Sequence, residues 1–503
     1  MVNFEVVAFA CYFVLVICVG VFFFWRTRKD GENEKQYFLG GRQMGPWVTA
    51  LSAQASDMSA WLLMGLPGSV LAFGLGKAWI GIGLAIGTAL NWIFVAKRLR
   101  KFSKASGDAI TLPEYFQNRF LAEKPVLSII AAVVFLVSFT IYVASGFVAG
   151  STVFVSLVPG LSRETAMNIF AAVILLYTFL GGFKAVSWTD FFQGTLMFIA
   201  LLAVPIVCVL VEDLDPSAVN TVYTNLSDGT EYAFVPNLFN ATWQDIVSGF
   251  AWGLGYFGMP HILVRFMAIR RPSEIKKSAT IAIIWVTISL AASLIIAYLG
   301  RMVVAGELLP DGQQATVFIH LARRYFPPFL SGLLLAAIIA ASMSTADSQL
   351  LVASSSFTND IYKPLIRKSA SDKELVWVAR GVVAVVAIIA YFLASARGSG
   401  AQAIMELVEN AWGLFGASFG PVVLLSVFWK RFNYPGAVAG VVAGAAVDIL
   451  WYNLLAASTG VYELLPGFVA NLLCAVVVTL LTKAPSPEVE AIFDRATDPD
   501  NDE

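Results

Sequence analysis

Apolar positions along this chain fall in runs of about 20, the length that crosses a ~30 Å hydrocarbon core at 1.5 Å per residue. They predict thirteen helices, near residues 5–25, 47–73, 77–97, 126–157, 163–181, 186–211, 242–269, 278–303, 327–358, 374–396, 401–428, 434–456 and 464–482. A transmembrane barrel would show short alternating segments instead. The first run does not read as a cleavable leader: Glu5 stands where a basic segment is expected, and Arg26, Arg28 and Lys29 follow as a stop. The longest stretches between runs are residues 98–125, 212–241 and 304–326.

Polar positions between the runs set an orientation, because Lys and Arg stay on the cytoplasmic side. They gather after the first span (with Lys35 and Arg42), the third (Lys97, Arg98, Arg100, Lys101, Lys104) and the seventh (Arg265, Arg270, Arg271, Lys276, Lys277). They recur after the ninth (Lys363, Arg367, Lys368, Lys373) and the eleventh (Lys430, Arg431). The segment from Glu212 to Gln244 has none, but holds Asp213, Asp215, Asp228 and Glu231. This alternation puts the N-terminus outside and the C-terminus inside. The tail beyond Lys483 reads as a short amphipathic or disordered end.

Composition narrows the function. Of 503 residues 58% are hydrophobic and 13% charged, against about 25% charged in a soluble domain, so a soluble enzyme is excluded. A net charge of −1 gives no reason to invoke nucleic acid. His261 and His320 are too far apart in sequence to form a metal cluster by themselves, and Cys11, Cys18, Cys208 and Cys474 read as unpaired, buried small hydrophobes. No GxxxxGK[ST] loop is present, so no nucleotide is expected to drive the protein. A channel, a receptor or a secondary transporter remains.

Polar groups at membrane depth are costly and mark function by default. Three clusters qualify. In the second span, Ser52, Gln54, Ser56 and Ser59 surround Asp57, followed by Gly65 and Pro67. Either the helix breaks there and Asp57 faces a cavity, a cation or a basic partner, or Asp57 only bonds a neighbouring helix end. The seventh span carries Trp252, Gly253, Gly255, Tyr256, Gly258 and Pro260, which read as a second break or as close helix packing. Trp252 and Tyr256, four apart, would share one face. In the ninth span Ala341, Ser344, Thr345 and Ser348 form one small, oxygen-bearing stripe, suited to a hard cation such as Na⁺ or to a packing seam. The second and seventh spans lie five helices apart, so each opens a block of five with opposite insertion. That is the pattern of an inverted-repeat transporter rather than of a channel with pore loops or charged rings.

Several segments carry a resemblance. They include YFLGGRQMGPWVTALSAQASDMSAWLLMGLPG (37–68), ITLPEYFQNRF (110–120), FTIYVASGFVAG (139–150) and LYTFLGGFKAVSWTDFFQG (176–194). Further on stand WGLGYFGMPHILVRFMA (252–268), MSTADSQLLVASS (343–355), KELVWVARG (373–381) and LPGFVANLL (465–473). In this order they resemble the sodium:solute symporter family over nearly the whole chain, and within it the members that carry L-proline.

The resemblance implies an all-α polytopic membrane protein with a 5+5 inverted-repeat, LeuT-like core. One helix and a loop (1–45) would precede the first repeat (46–213). An acidic external loop (214–241), the second repeat (242–431), two further helices (432–484) and a cytoplasmic tail (485–503) would follow. It implies a sodium site of the Ala55, Met58 and Ala341 backbone oxygens with the Ser344 and Thr345 hydroxyls, with Asp57 beside it. It implies a proline site with Ser59, Trp61, Tyr142, Trp252, Tyr256 and Pro260. Arg42 matches a position linked to coupling, and Asp190 one that helps form a second sodium site, with Ser344 and Ser348. The expected function is Na⁺-coupled proline uptake across the bacterial plasma membrane, by a monomer with no cofactor. Another small solute, such as pantothenate, a short carboxylate or a sugar, is the alternative on the same scaffold; a channel or membrane sensor is the rival class. Gln54, Ala60, Asp347, Glu406 and Glu409 depart from close relatives.

Overall fold

Helix forms over every apolar run, and the computed structural model describes residues 3–29, 34–180, 182–398 and 400–498. In order come α1 (Phe4–Lys29), α2 (Glu34–Leu39), α3 (Pro46–Met58), α4 (Gly65–Phe73), α5 (Ala78–Leu90), α6 (Ala96–Ala105) and α7 (Leu112–Arg119). Then follow α8 (Val126–Leu157), α9 (Arg163–Leu180), α10 (Phe183–Val211) and a two-stranded ribbon, β1 (Tyr223–Thr224) with β2 (Glu231–Tyr232). The second half contains α11 (Trp243–Leu254), α12 (Pro260–Ala268), α13 (Ile275–Val303), α14 (Ala305–Leu308), α15 (Val317–Tyr325) and α16 (Pro328–Ser356). It ends with α17 (Asp372–Ser395), α18 (Ala401–Phe428), α19 (Tyr434–Leu454), α20 (Ala456–Thr459), α21 (Leu464–Leu481) and α22 (Pro487–Thr497).

Ten helical segments among the described residues are long and apolar enough to cross a membrane. Three of the expected spans are not among them. The second is split into α3 and α4 and the seventh into α11 and α12, while the fifth is the single helix α9 (Arg163–Leu180).

Both splits have local causes. Pro46 occupies the first turn of α3, where its missing N–H costs nothing. At the other end Ser59 adopts φ +38°, a left-handed value that ends the helix; its hydroxyl then accepts from the Trp61 N–H at 3.3 Å and starts a short 3₁₀ turn. In the seventh span, α11 passes into a 3₁₀ turn at Gly255–Phe257, and α12 restarts with Pro260 at its first position.

Glycine faces bring α5 and α11 together. A Cβ on Gly83 would lie 2.0 Å from the Gly249 carbonyl oxygen, and one on Gly87 would lie 2.2 Å from that of Gly253. Two small-xxx-small motifs thus let the helices touch backbone to backbone.

Several sequence expectations need correction. The third span does not end at residue 97: a π turn at Asn91–Val95 joins α5 to α6, and helix continues to Ala105. Arg100, read as a loop residue, is 4% exposed on α6 and donates to the Ile269 carbonyl at 2.8 Å. Arg265, also counted among loop charges, is 2% exposed inside α12. Cys11 and Cys18 are exposed rather than buried, because α1 packs one side against α10 and α16; all four thiols are unpaired. Of the two readings of the tail, the amphipathic one holds: Pro487–Thr497 is a helix that buries Val489, Ile492 and Ala496, and residues 499–503 lie outside the described residues.

The acidic loop is held down by a side chain the sequence pattern does not single out. Arg301, 1% exposed, donates to the carbonyls of Leu71 (3.1 Å), Tyr232 (2.9 Å) and Thr221 (2.5 Å). It binds the ribbon to the end of α4.

Candidate functional site

A broken helix frees backbone carbonyls, and in lipid each must find a donor. Here those donors are side chains from other helices. The Ala55 carbonyl, in the last turn of α3, accepts from Ser344 Oγ at 2.8 Å and lies 3.4 Å from Thr345 Oγ1, both on α16. Ser344 Oγ also lies 3.1 Å from the Ala341 carbonyl. Tyr142 on α8 donates to the Asp57 carbonyl at 3.2 Å, and Ser293 on α13 to that of Leu62 at 2.7 Å. On the second break, Asn91 donates to the Tyr256 carbonyl at 2.9 Å, and Trp412 Nε1 to that of Trp252 at 2.8 Å.

The two breaks also touch each other. The Tyr256 hydroxyl donates to the Asp57 carboxylate at 2.6 Å, deep in the protein. Asp57 was expected to meet a cavity, a cation or a basic partner; its recorded partner is a phenol on the other interrupted helix, closer to the alternative reading. Trp61 and Trp252 face each other at 6.0 Å between centroids. Trp252 stacks on Trp412 at 6.2 Å, while Tyr256 meets the same indole edge-on at 5.1 Å. Ser59, Trp61, Tyr142, Trp252 and Tyr256 thus gather around the breaks, with Pro260 starting the helix beyond the second.

Of the expected sodium ligands, the structure brings together the Ala55 and Ala341 carbonyls and the Ser344 and Thr345 hydroxyls, all on buried residues. Met58 is the last residue of α3. Neutral oxygens of this kind suit a hard monovalent cation.

The stripe on α16 does not serve one site. Ser348, one turn beyond Ser344, accepts from Arg265 Nη2 at 2.5 Å. The same guanidinium nitrogen reaches the Asp190 carboxylate at 2.9 Å, and Asp190 also accepts from Ser52 Oγ at 2.7 Å. Asp190 and Ser348 are therefore brought together as expected, at 3.4 Å, but the positive charge between them belongs to Arg265, and the Ser344 hydroxyl is turned to Ala55 and Ala341. A cation at Asp190 would have to displace a fixed guanidinium. Arg265 was legible: an arginine amid Ile262, Leu263, Val264, Phe266 and Met267 belongs to a span. Asn91, Ser293 and Trp412 gave weaker signals, as single polar-tipped residues within apolar runs.

Arg42 lies away from these groups, at the end of the molecule that carries the basic loops. It adopts φ +54°, is 6% exposed, and bonds Asp108 (2.8 Å), the Ala109 carbonyl (2.9 Å), Ser103 (3.2 Å) and the Met267 carbonyl. It joins the segment after α2, the α6–α7 connection and the last turn of α12.

Two interrupted helices, each capped by side chains of its neighbours and bonded to each other through Tyr256 and Asp57, define a secondary transporter of the inverted-repeat class. The chain belongs to the sodium:solute symporter family, whose model matches residues 37–444. It is 45% identical to the high-affinity proline transporter PutP of Bacillus subtilis over 95% of this chain and 98% of that one. It is 43% identical to the sodium/proline symporter of Escherichia coli over 97% and 95% of the two. A solved Na⁺-coupled sialic acid symporter in a substrate-bound, outward-open state shares its fold, with a TM-score of 0.76 at 22% identity over 96% of this chain and 99% of that one. The protein is a multi-pass membrane transporter, not an enzyme.

Proposed function

We propose that the protein carries L-proline into the cell together with Na⁺ across the bacterial plasma membrane, by alternating access. Relatives named as proline transporters and sodium/proline symporters at over 40% identity support the solute and the ion. Within the chain, the observation that carries the reading is the pair of α16 hydroxyls set against the Ala55 carbonyl of a broken helix.

Na⁺ binds among the Ala55, Met58 and Ala341 carbonyls and the Ser344 and Thr345 hydroxyls, and so fixes the position of α3 relative to α16. Proline sits between the two breaks. Its carboxylate accepts from backbone N–H groups at a helix start, and its ring packs on Trp61 and Trp252. Ser59, Tyr142, Tyr256 and Pro260 complete that site, and Asp57 orients Tyr256 within it. Arg42 couples the centre to the cytoplasmic side through the last turn of α12. A second sodium at Asp190 is not part of this mechanism, since Arg265 neutralises that carboxylate. The N-terminus is outside and the C-terminus inside, the chain works as a monomer, and the two repeats are 46–213 and 242–431.

Each positive charge moved inward gains ~2.3 kcal/mol per 100 mV, about fifty-fold accumulation before any sodium gradient is added. Vesicles loaded without Na⁺ should take up labelled proline when Na⁺ is supplied outside and not when choline replaces it. Binding is reciprocal: Na⁺ should lower the proline Kd, and proline that of Na⁺. An unchanged proline Kd in choline buffer would overturn the coupling, and displacement of proline by pantothenate, a short carboxylate or a sugar would reassign the solute.

A further inference from the structure

At the end of the molecule with the basic loops, the two interrupted helices are joined backbone to backbone. The Met44 N–H, just before α3, donates to the Ala268 carbonyl at the end of α12 at 3.4 Å, and the Arg270 N–H donates back to the Met44 carbonyl at 3.0 Å. Side chains of α6 hold the same place. Arg100 donates to the Ile269 carbonyl at 2.8 Å and to that of Arg270 at 3.3 Å, while Ser103 accepts from Arg42 at 3.2 Å. Under alternating access the solute leaves inward only when these ends part, and α6 then has to give up its hold.

α6 is itself held from another side. Phe102, two positions from Arg100, points to a different face of the helix and meets the Phe493 ring of α22 edge-on at 5.2 Å. α22 lays Val489, Ile492 and Ala496, spaced i, i+3 and i+7, onto the bundle and leaves them 3–6% exposed. The Val489 carbonyl accepts from Arg119 on α7 at 3.2 Å, and the same guanidinium donates to the Ser426 carbonyl of α18. Around this contact, Lys101 on α6 donates to the Asp498 carbonyl at 3.1 Å, and Lys430, just past α18, pairs with Asp494 at 2.8 Å and Glu490 at 3.6 Å. Exposed ion pairs are individually weak, so the apolar face supplies the grip and the charges set its register.

We propose that α22 is a latch on the inner gate: docked across α6, α7 and α18, it keeps Arg100 and Ser103 at the end of α12 and biases the carrier toward the state closed on that side. The latch rests on the reading of the protein as an alternating-access carrier and adds a control to it. Releasing α22 gives up only its own contacts, so the latch shifts a population and does not lock the gate.

The test uses the full chain in lipid nanodiscs, with Cys11, Cys18, Cys208 and Cys474 replaced and a reporter thiol placed at the closed end by Met44→Cys, where the parent side chain is 4% exposed. Labelling by a charged maleimide in Na⁺ buffer is compared between this chain and one ended after Lys483, which lacks α22. Loss of α22 should speed labelling about fivefold, since the thiol reacts only in the open state. Thermal unfolding of the same samples separates opening of the gate from loss of the fold. Lys430→Glu, which sets a third acid beside Glu490 and Asp494, should speed labelling in the same direction. Adding Glu490→Lys and Asp494→Lys to it should return the parent rate, which a general loss of packing would not do. Equal labelling with and without α22 in a folded chain would overturn the latch. Where the shortened chain fails to fold, unchanged labelling in Lys430→Glu overturns it instead. The two readings fail separately: absence of Na⁺-driven proline uptake by the parent chain removes the carrier assignment, whereas normal uptake with equal labelling removes only the latch.

Discussion

Ala55 offers its carbonyl oxygen to two hydroxyls because α3 ends three residues later and its last turn has no further N–H to receive. Ser344→Ala removes one of them from the proposed sodium site. The Na⁺ concentration giving half-maximal proline uptake should rise about tenfold, equivalent to ~1.4 kcal/mol, while proline binding at saturating Na⁺ changes less. Titration of uptake against Na⁺ checks it, and an unchanged Na⁺ dependence would remove Ser344 from the site. The Asp190–Arg265 pair obeys a different rule. Both ends are almost wholly buried, so breaking it leaves a lone charge: Asp190→Asn or Arg265→Gln alone should destabilise the solubilised protein by ~3–5 kcal/mol. Replacing both with apolar residues of similar volume should restore most of that loss, as read from thermal unfolding. Equal losses in single and double variants would mean that the pair does not act as a unit. The chemistry of the α16 stripe was legible from residue spacing. Its division between a neutral oxygen site and an ion pair was not, because a helical stripe does not record which neighbour each turn faces.

At the scale of elements, the contact between α5 and α11 decides where the second break sits. Gly83, Gly87, Gly249 and Gly253 let the two backbones meet, and the π turn that follows α5 presents Asn91 to the Tyr256 carbonyl. Gly83→Leu should push α11 outward and loosen Trp252 and Tyr256. Proline affinity should fall at least about tenfold with a lower unfolding temperature, whereas Gly381→Ala, at a position with nothing within 4 Å, should change neither. The breaks themselves were visible in sequence, since Gly and Pro clusters at mid-span cannot continue a helix. Glycines that permit close approach look the same as glycines that break a helix, however. Gly253 serves the first purpose and Gly255 begins the turn of the second kind, and only the neighbouring helix tells them apart.

Across the whole molecule, the end with the basic loops is tied together by a few buried arginines. Arg119, wholly buried, lies between the rings of Phe102, Phe120 and Phe493 and donates to the carbonyls of Ser426 and Val489, so α22 is clamped onto α6 and α18. Nearby, Asp108 receives Lys35 and Arg42. Burial pushes its carboxyl upward, but the Lys35 hydrogen bond and the charges of Arg42, Lys35 and Lys104 outweigh this and hold it below the usual carboxylate range. A depressed folded value contributes stability that is complete above the unfolded pKa of ~3.9 and is lost as pH falls through the lower folded value. Asp108→Asn should therefore be less stable than the parent at pH 7, with the gap closing only as pH drops below about 4. Thermal unfolding across that range checks it, and a gap that persists at the acid end would assign the loss to packing instead.

What the sequence alone determined were quantities that accumulate along the chain: apolar runs that become helix, the residues where helix cannot continue, and oxygens at helical spacing. These depend on near neighbours in sequence, and lipid enforces them by penalising any unsatisfied backbone. Tertiary structure decided the partners. It gave Asp190 a guanidinium, set a phenol on Asp57, and laid Phe493 of α22 against Phe102 of α6. Such pairings join residues tens to hundreds of positions apart, and their energies depend on distance and burial, which no local pattern of residues encodes.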